Sequence, residues 1–120
     1  MKITSFEDLL AWQKAQDIAE LVYKNFYTLR DFGFGDQICR ASVSISNYIA
    51  EGFDRYSKKE FIRFLYISKG SCSEVKSMLY LAKRLNFAEE KETQLIQELC
   101  EETSKILRGL IKSLENREIK

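Results

Sequence analysis

Gln37, Arg40, Ser44, Asn47 and Glu51 recur every three or four positions, so one flank of a helix carries two amides, a guanidinium, a hydroxyl and a carboxylate. Such a row can hydrogen-bond, form ion pairs or meet phosphate, and its composition alone does not choose among these. Between Asp36 and Ser73 the cations Arg40, Arg55, Lys58, Lys59, Arg63 and Lys69 outnumber the anions Asp36, Glu51, Asp54 and Glu60 by two. Lys59 and Arg63 stand one helical turn apart, and Tyr56 or Tyr66 nearby offers a ring on which an unpaired base can stack. Arg40, Arg55, Lys58, Lys59 and Arg63 are therefore the candidate nucleic-acid contacts. The competing reading is a solvated face laced with intrahelical pairs, which charge runs usually are. A third arrangement places Arg40, Glu51 and Arg55 in an ion-pair network between subunits, where it would fix register more than add stability.

Catalytic chemistry finds little to work with. Histidine is absent, which removes the usual general base and the commonest metal ligand. There is no Cys-x-x-Cys, no Gly-rich phosphate loop and no nucleophile elbow. Glu74 and Glu98 or Glu101 can meet across helices, but no histidine follows three residues on to make a di-iron pattern. The expectation is a protein that is not an enzyme, with no metal, no cofactor and no small-molecule substrate.

The elements that carry these residues are helices. The chain has 120 residues and no proline, and its five glycines fall mostly where the apolar period lapses. Ser5, with Asp8 three positions on, predicts the start of a first helix. Its seam of Trp12, Ala15, Ala19, Val22, Phe26 and Leu29 carries it to about Leu29. Asp31-Phe-Gly-Phe-Gly35 reads as a turn whose glycines supply positive φ. A second helix follows from about Asp36 to Gly52, with Ile38, Ala41, Ile45, Ile49 and Gly52 toward the core and small residues letting a neighbouring backbone approach. Ser57-Lys-Lys-Glu60 is a capping box that opens a third helix. Phe61, Phe64, Ser68, Cys72, Val75, Leu79 and Ala82 form its seam to about Leu85, with Asn86 as C-cap and Gly70 marking close packing. The fourth helix begins within Ala88 to Glu92 and shows Leu95, Leu99, Ile106, Leu110 and Leu114, backed by Ile96, Thr103, Leu107 and Ile111. Its tail, Asn116 to Lys120, is polar and expected to fray. Four helices with short connections predict an all-α, antiparallel up-down-up-down four-helix bundle forming a single domain over residues 1–120.

Composition sets the surroundings. Net charge is +1, so no whole-chain field draws the protein to nucleic acid or membrane, and any such binding must come from a local patch. Cys39, Cys72 and Cys100 are odd in number, far apart and each set in a helical pattern, which fits buried thiols in a reducing cytoplasm. The first eight residues lack the apolar run of a signal peptide, and no membrane span is present. The third helix carries Ile62, Tyr66 and Ile67 outside its core seam, and these, with Glu51, are the expected oligomer contacts. The alternative is a wide core with the third helix at its centre.

The chain resembles the four-helix-bundle family that includes proteins encoded by intervening sequences within bacterial 23S ribosomal RNA genes. Phe6-Glu-Asp-Leu9, Ala11-Trp-Gln-Lys-Ala15, Gln37-Ile38, Arg40-Ala41, Val43-Ser-Ile45, Ile49-Ala-Glu-Gly52, Arg55, Ser57-Lys-Lys-Glu-Phe61, Gly70-Ser71 and Glu74 carry the likeness in order. Ser46 stands where the family usually has proline, Tyr48 where it has asparagine, and Cys39 where it is often basic; the proline common in the first interhelix turn is missing too. The resemblance implies a homopentamer and points toward RNA or DNA, since related bundles serve as accessory factors to a reverse transcriptase. Those accessory relatives are strongly basic, whereas this chain has a pI of about 7.6. The functional expectation is a non-enzymatic, homopentameric, RNA-associated or nucleic-acid-associated binding module in the bacterial cytoplasm. The alternative is a protein-interaction scaffold that binds no nucleic acid.

Overall fold

A computed structural model describes residues 3–118, with four α-helices and no strand among them. The helices are α1 (Leu10–Phe26), α2 (Phe32–Phe53), α3 (Lys58–Arg84) and α4 (Glu90–Glu118), preceded by one 3-10 turn at Phe6–Asp8. Contacts across each seam run in opposite chain directions. Lys14 pairs with Glu102 and Asn25 with Glu92 between α1 and α4. Gln37 meets Glu74 and Ser68 reaches Ile45 between α2 and α3. Lys76 meets Glu101 and Lys83 meets Glu90 between α3 and α4. Each helix therefore lies antiparallel to its chain neighbours, and α1 closes the ring on α4: this is the up-down-up-down bundle, 51 × 22 × 20 Å.

Local chemistry explains where the helices begin and end. Ser5 does not start α1. It sits ahead of the 3-10 turn, where its hydroxyl and that of Thr4 lie 3.5 Å from the Asp8 carboxylate, and Leu9 then adopts extended backbone before α1 begins. Tyr27 ends α1, short of Leu29. The expected Gly-rich turn is in fact the first turn of α2. Asp31 is the N-cap, its carboxylate accepting from the Phe34 amide at 3.1 Å, and neither Gly33 nor Gly35 has positive φ. Gly35 is required by proximity instead, since a Cβ there would stand 2.7 Å from the Phe26 carbonyl oxygen.

Ser57 caps α3 as its sequence requires, its hydroxyl accepting from the Glu60 amide at 3.0 Å. At the other end Asn86 adopts φ 58°, with Phe87 N–H donating to Ala82 and Asn86 N–H to Lys83. That pair of bonds is a Schellman cap, and Asn is one of the few side chains that tolerate it. α4 continues past Asn116 to Glu118; Ile119 and Lys120 lie outside the described residues.

One core runs the length of the bundle. Ile38, Ala41, Ile45, Ile49 and Gly52 of α2 are all buried, as are Phe64, Ser68, Cys72, Val75, Leu79 and Ala82 of α3. In α1 the seam is Ala11, Ala15, Ile18, Val22 and Phe26, so Trp12 and Ala19 are flanking rather than central. In α4 the expected order of stripes is largely reversed: Ile96, Thr103, Leu107 and Ile111 are buried, whereas of the leading stripe only Leu114 is buried, Leu99, Ile106 and Leu110 are half-buried and Leu95 is exposed. The reason is that α4 presents its buried row between α1 and α3, leaving the neighbouring leucines at the edge of the groove. The thin face of α2 acts as its composition predicts. Buried Ser68 of α3 donates to the Ile45 carbonyl at 2.7 Å, and Ser46 accepts from Gln16 of α1 at 3.0 Å, so these buried hydroxyls are satisfied. Gly70 is exposed, and a Cβ there meets nothing within 4 Å, so it does not mark close packing within the chain.

Candidate nucleic-acid interface

The α2–α3 corner gathers most of the candidate cations because α2 ends and α3 begins there within five residues. Arg55 follows the last turn of α2, while Lys58, Lys59 and Arg63 occupy the first two turns of α3. Both guanidiniums converge on one ring. Arg55 Cζ lies 4.8 Å and Arg63 Cζ 5.7 Å from the centroid of Phe64, a cation–π arrangement shared by two side chains. Phe64 is held from below by Gly52 and from the side by Tyr48, whose ring centroid is 6.1 Å away. Tyr56, in the connecting turn between Arg55 and the two lysines, is fully exposed.

Carboxylates temper the charge. Glu51 Oε2 accepts from Arg55, four residues on, at 2.7 Å, and Glu60 lies 3.9 Å from Arg63, one turn away along α3. Neither Lys58 nor Lys59 pairs with a described residue. The corner thus offers two unpaired ammonium groups, two ring-stacked guanidiniums and a free phenol ring.

Arg40 stands apart. It lies fifteen residues before Arg55 along α2, about 22 Å at the helical rise, and pairs with Asp36 at 3.0 Å. The network of Arg40, Glu51 and Arg55 consequently does not close within one chain; only its Glu51–Arg55 half forms. The rest of the polar stripe is exposed or half-buried, with Ser44 donating to the Arg40 carbonyl and Gln37 to Glu74. Glu74, Glu98 and Glu101 point to different partners, Gln37, Gln94 and Lys76 respectively. Among the described residues no three His, Cys, Asp or Glu side chains come together to hold a metal ion, and no helix is long and apolar enough to cross a membrane.

The surplus apolar surface is distributed differently from expectation. Ile62 and Ile67 are half-buried, Ile62 packing on the core, because the flanks of α3 fill its grooves with α2 and α4; Tyr66 remains 53% exposed. Sequence reading missed the opposite end of the bundle, where Tyr27 is 72% and Phe32 79% exposed and Tyr23 stacks on Tyr27 with centroids 5.6 Å apart. The four-residue spacing of the two tyrosines was the available signal, obscured because Phe32 reads as part of a turn. It also missed Phe64 as the platform under the guanidiniums, a role that depends on how α2 and α3 meet.

The comparisons with known proteins agree with this architecture. A crystal structure from Bacteroides thetaiotaomicron VPI-5482, described as a protein of unknown function from the S23 ribosomal protein family, is similar to this chain at a TM-score of 0.80 and 24% identity. The match covers 86% of this chain and 96% of that one, and at this identity it shows the fold alone. No curated protein matches the chain. The family model described as 23S rRNA-intervening sequence protein matches residues 7–109, nearly the whole bundle and all of the corner. The chain therefore belongs to the 23S rRNA-intervening sequence protein family.

Proposed function

We propose that this protein is a non-enzymatic binding module that assembles as a homopentamer and contacts RNA through the α2–α3 corner. The observation that carries the reading is Tyr56, a fully exposed aromatic ring in a turn flanked by Arg55 on one side and Lys58 and Lys59 on the other. A ring in that setting gives an unpaired base something to stack on while the cations meet the adjoining phosphates. Arg63 and Arg55, held on Phe64, add planar donors at fixed positions. The patch is feeble in one copy, and repetition around a ring multiplies the phosphate contacts. Membership of a family named for intervening sequences in 23S rRNA supports RNA as the partner class. Arg40, remote from the corner, is assigned no part in this contact.

The test is a fluorescence-anisotropy titration of single-stranded RNA, between about 50 and 200 mM salt, the range over which phosphate contacts weaken steeply. Affinity that falls with salt and is lost in the Tyr56→Ala, Lys59→Glu double variant supports the reading; no binding at the lowest salt defeats it. Light scattering at working concentration tests the assembly, since a mass near 14.1 kDa rather than about five times that value rules out the ring.

A second reading has its own support. Tyr23, Tyr27 and Phe32 form an exposed aromatic group at the far end of the bundle, the composition of a protein-contact surface. In that case the module is a scaffold, and the RNA titration is flat.

A further inference from the structure

Cys72 of α3 and Cys100 of α4 face each other in the core, 28 residues apart in the chain and both essentially without exposure. The Cys72 thiol donates to the Cys100 carbonyl at 3.3 Å, so the two cysteines touch across the α3–α4 pair. Two thiols in register across antiparallel helices are an unusual core pair, because side chains of similar volume without sulfur would pack as well. We propose that Cys72 and Cys100 are a dithiol modification site, oxidised by a peroxide to a reversible disulfide that ties α3 to α4.

The surroundings divide the roles. The hydrogen bond with Cys100 lowers the Cys72 pKa against the opposing effect of burial, helped by Ser104 and the Lys76 and Lys69 ammonium groups. The same hydrogen bond and burial hold Cys100 protonated. Cys72 is thus the attacking sulfur. Its thiolate displaces one oxygen of hydrogen peroxide, breaking the O–O bond to give a sulfenic acid and hydroxide, which takes up the proton Cys72 released. Cys100 sulfur then attacks Cys72 sulfur, losing its proton as the S–O bond breaks and water leaves. The balance is two thiols and one peroxide to one disulfide and two waters, the thiols losing two electrons and the peroxide gaining them. Cys39 has no part in this: it lies on α2 rather than at the α3–α4 contact.

The full chain treated with hydrogen peroxide should go from three titratable thiols per chain, counted in denaturant, to one. Peptide mapping should join the Cys72 and Cys100 peptides within one chain, leave Cys39 free, and show complete reversal by dithiothreitol. The closed loop constrains the unfolded chain, so the thermal midpoint should rise by about 5–10 °C on oxidation. Cys39→Ala should keep the link, and Cys72→Ala or Cys100→Ala should abolish it. Three thiols persisting after prolonged oxidation, a link through Cys39 or between chains, or Cys72 ending as sulfinic acid beside an intact Cys100 thiol would each overturn the proposal. These readouts on the unsubstituted chain need no variant to fold, and none depends on RNA binding.

Discussion

A methyl group on Gly52 would stand 2.6 Å from Cβ of Phe64, closer than any real contact, so α2 and α3 meet there with no room to spare. The same Phe64 ring carries Arg55 and Arg63, which makes this approach the foundation of the candidate interface. Gly52→Ala should therefore lower stability by about 1–2 kcal/mol, the overpacking cost outweighing the gain in helix propensity. Urea unfolding measures the loss, and an unchanged midpoint contradicts the geometry.

Gly70→Ala should do the opposite. It is exposed on α3 with open space around its Cβ position, so alanine should add about 1 kcal/mol of stability by helix propensity alone. A destabilised variant whose measured mass also falls would place a second copy of the chain against this face.

Asp31 and Ser57 each satisfy one orphan amide at the start of a long helix. Replacing either by alanine should cost about 1 kcal/mol, and the two losses should add, because the caps sit at opposite ends of the bundle. Denaturant midpoints of the two single variants and the double variant check both statements.

The Lys59→Glu, Arg63→Glu pair should abolish RNA binding at moderate salt without unfolding the bundle, since both side chains are exposed. Neutralising them instead, Lys59→Gln with Arg63→Gln, should make the slope of log affinity against log salt shallower by about 0.7 for every phosphate of a single strand that the variant no longer neutralises. Arg40→Gln should leave that slope unchanged.

Lys76 and Glu101 pair across α3 and α4 at 3.0 Å, and this bond holds the Glu101 carboxyl below its ordinary value of 4.5 and lifts Lys76 above 10.5. The carboxylate's contribution is complete above pH 4.5 and disappears as pH falls through its lowered value. The lysine's is complete below pH 10.5 and disappears as pH rises through its raised value. Glu101→Gln should flatten the melting temperature against pH at both edges, and a wild-type profile that matches the variant's would contradict the pairing.

The fold was legible wherever polar and apolar residues alternate sharply around a helix. In α2 the contrast between Ile38, Ala41, Ile45 and Ile49 and the stripe of Gln37, Arg40 and Glu51 marks the buried face without ambiguity. The serine N-cap at Ser57 and the cap at Asn86 were equally readable, because both depend on local chemistry. The start of α2 was not. Gly33 and Gly35 look like a turn to any local reading, and only the nearness of the Phe26 carbonyl explains Gly35. Of the site, the cations were visible by type, but their grouping was not: nothing along the chain says that Arg55 and Arg63 share one ring or that Arg40, paired with Asp36, takes no part in the corner. Those facts arise from how two helices cross, a property of pairs of segments rather than of either one.

Asn86 is the one described non-glycine residue with a left-handed backbone, and it stands at the hinge between α3 and α4. Mutational tolerance there should consequently be narrow in an unusual way, set by handedness rather than by size or polarity. Glycine should be accepted outright and aspartate nearly so, whereas valine or isoleucine, harmless on many surface turns, should be among the most poorly tolerated exposed substitutions in the molecule.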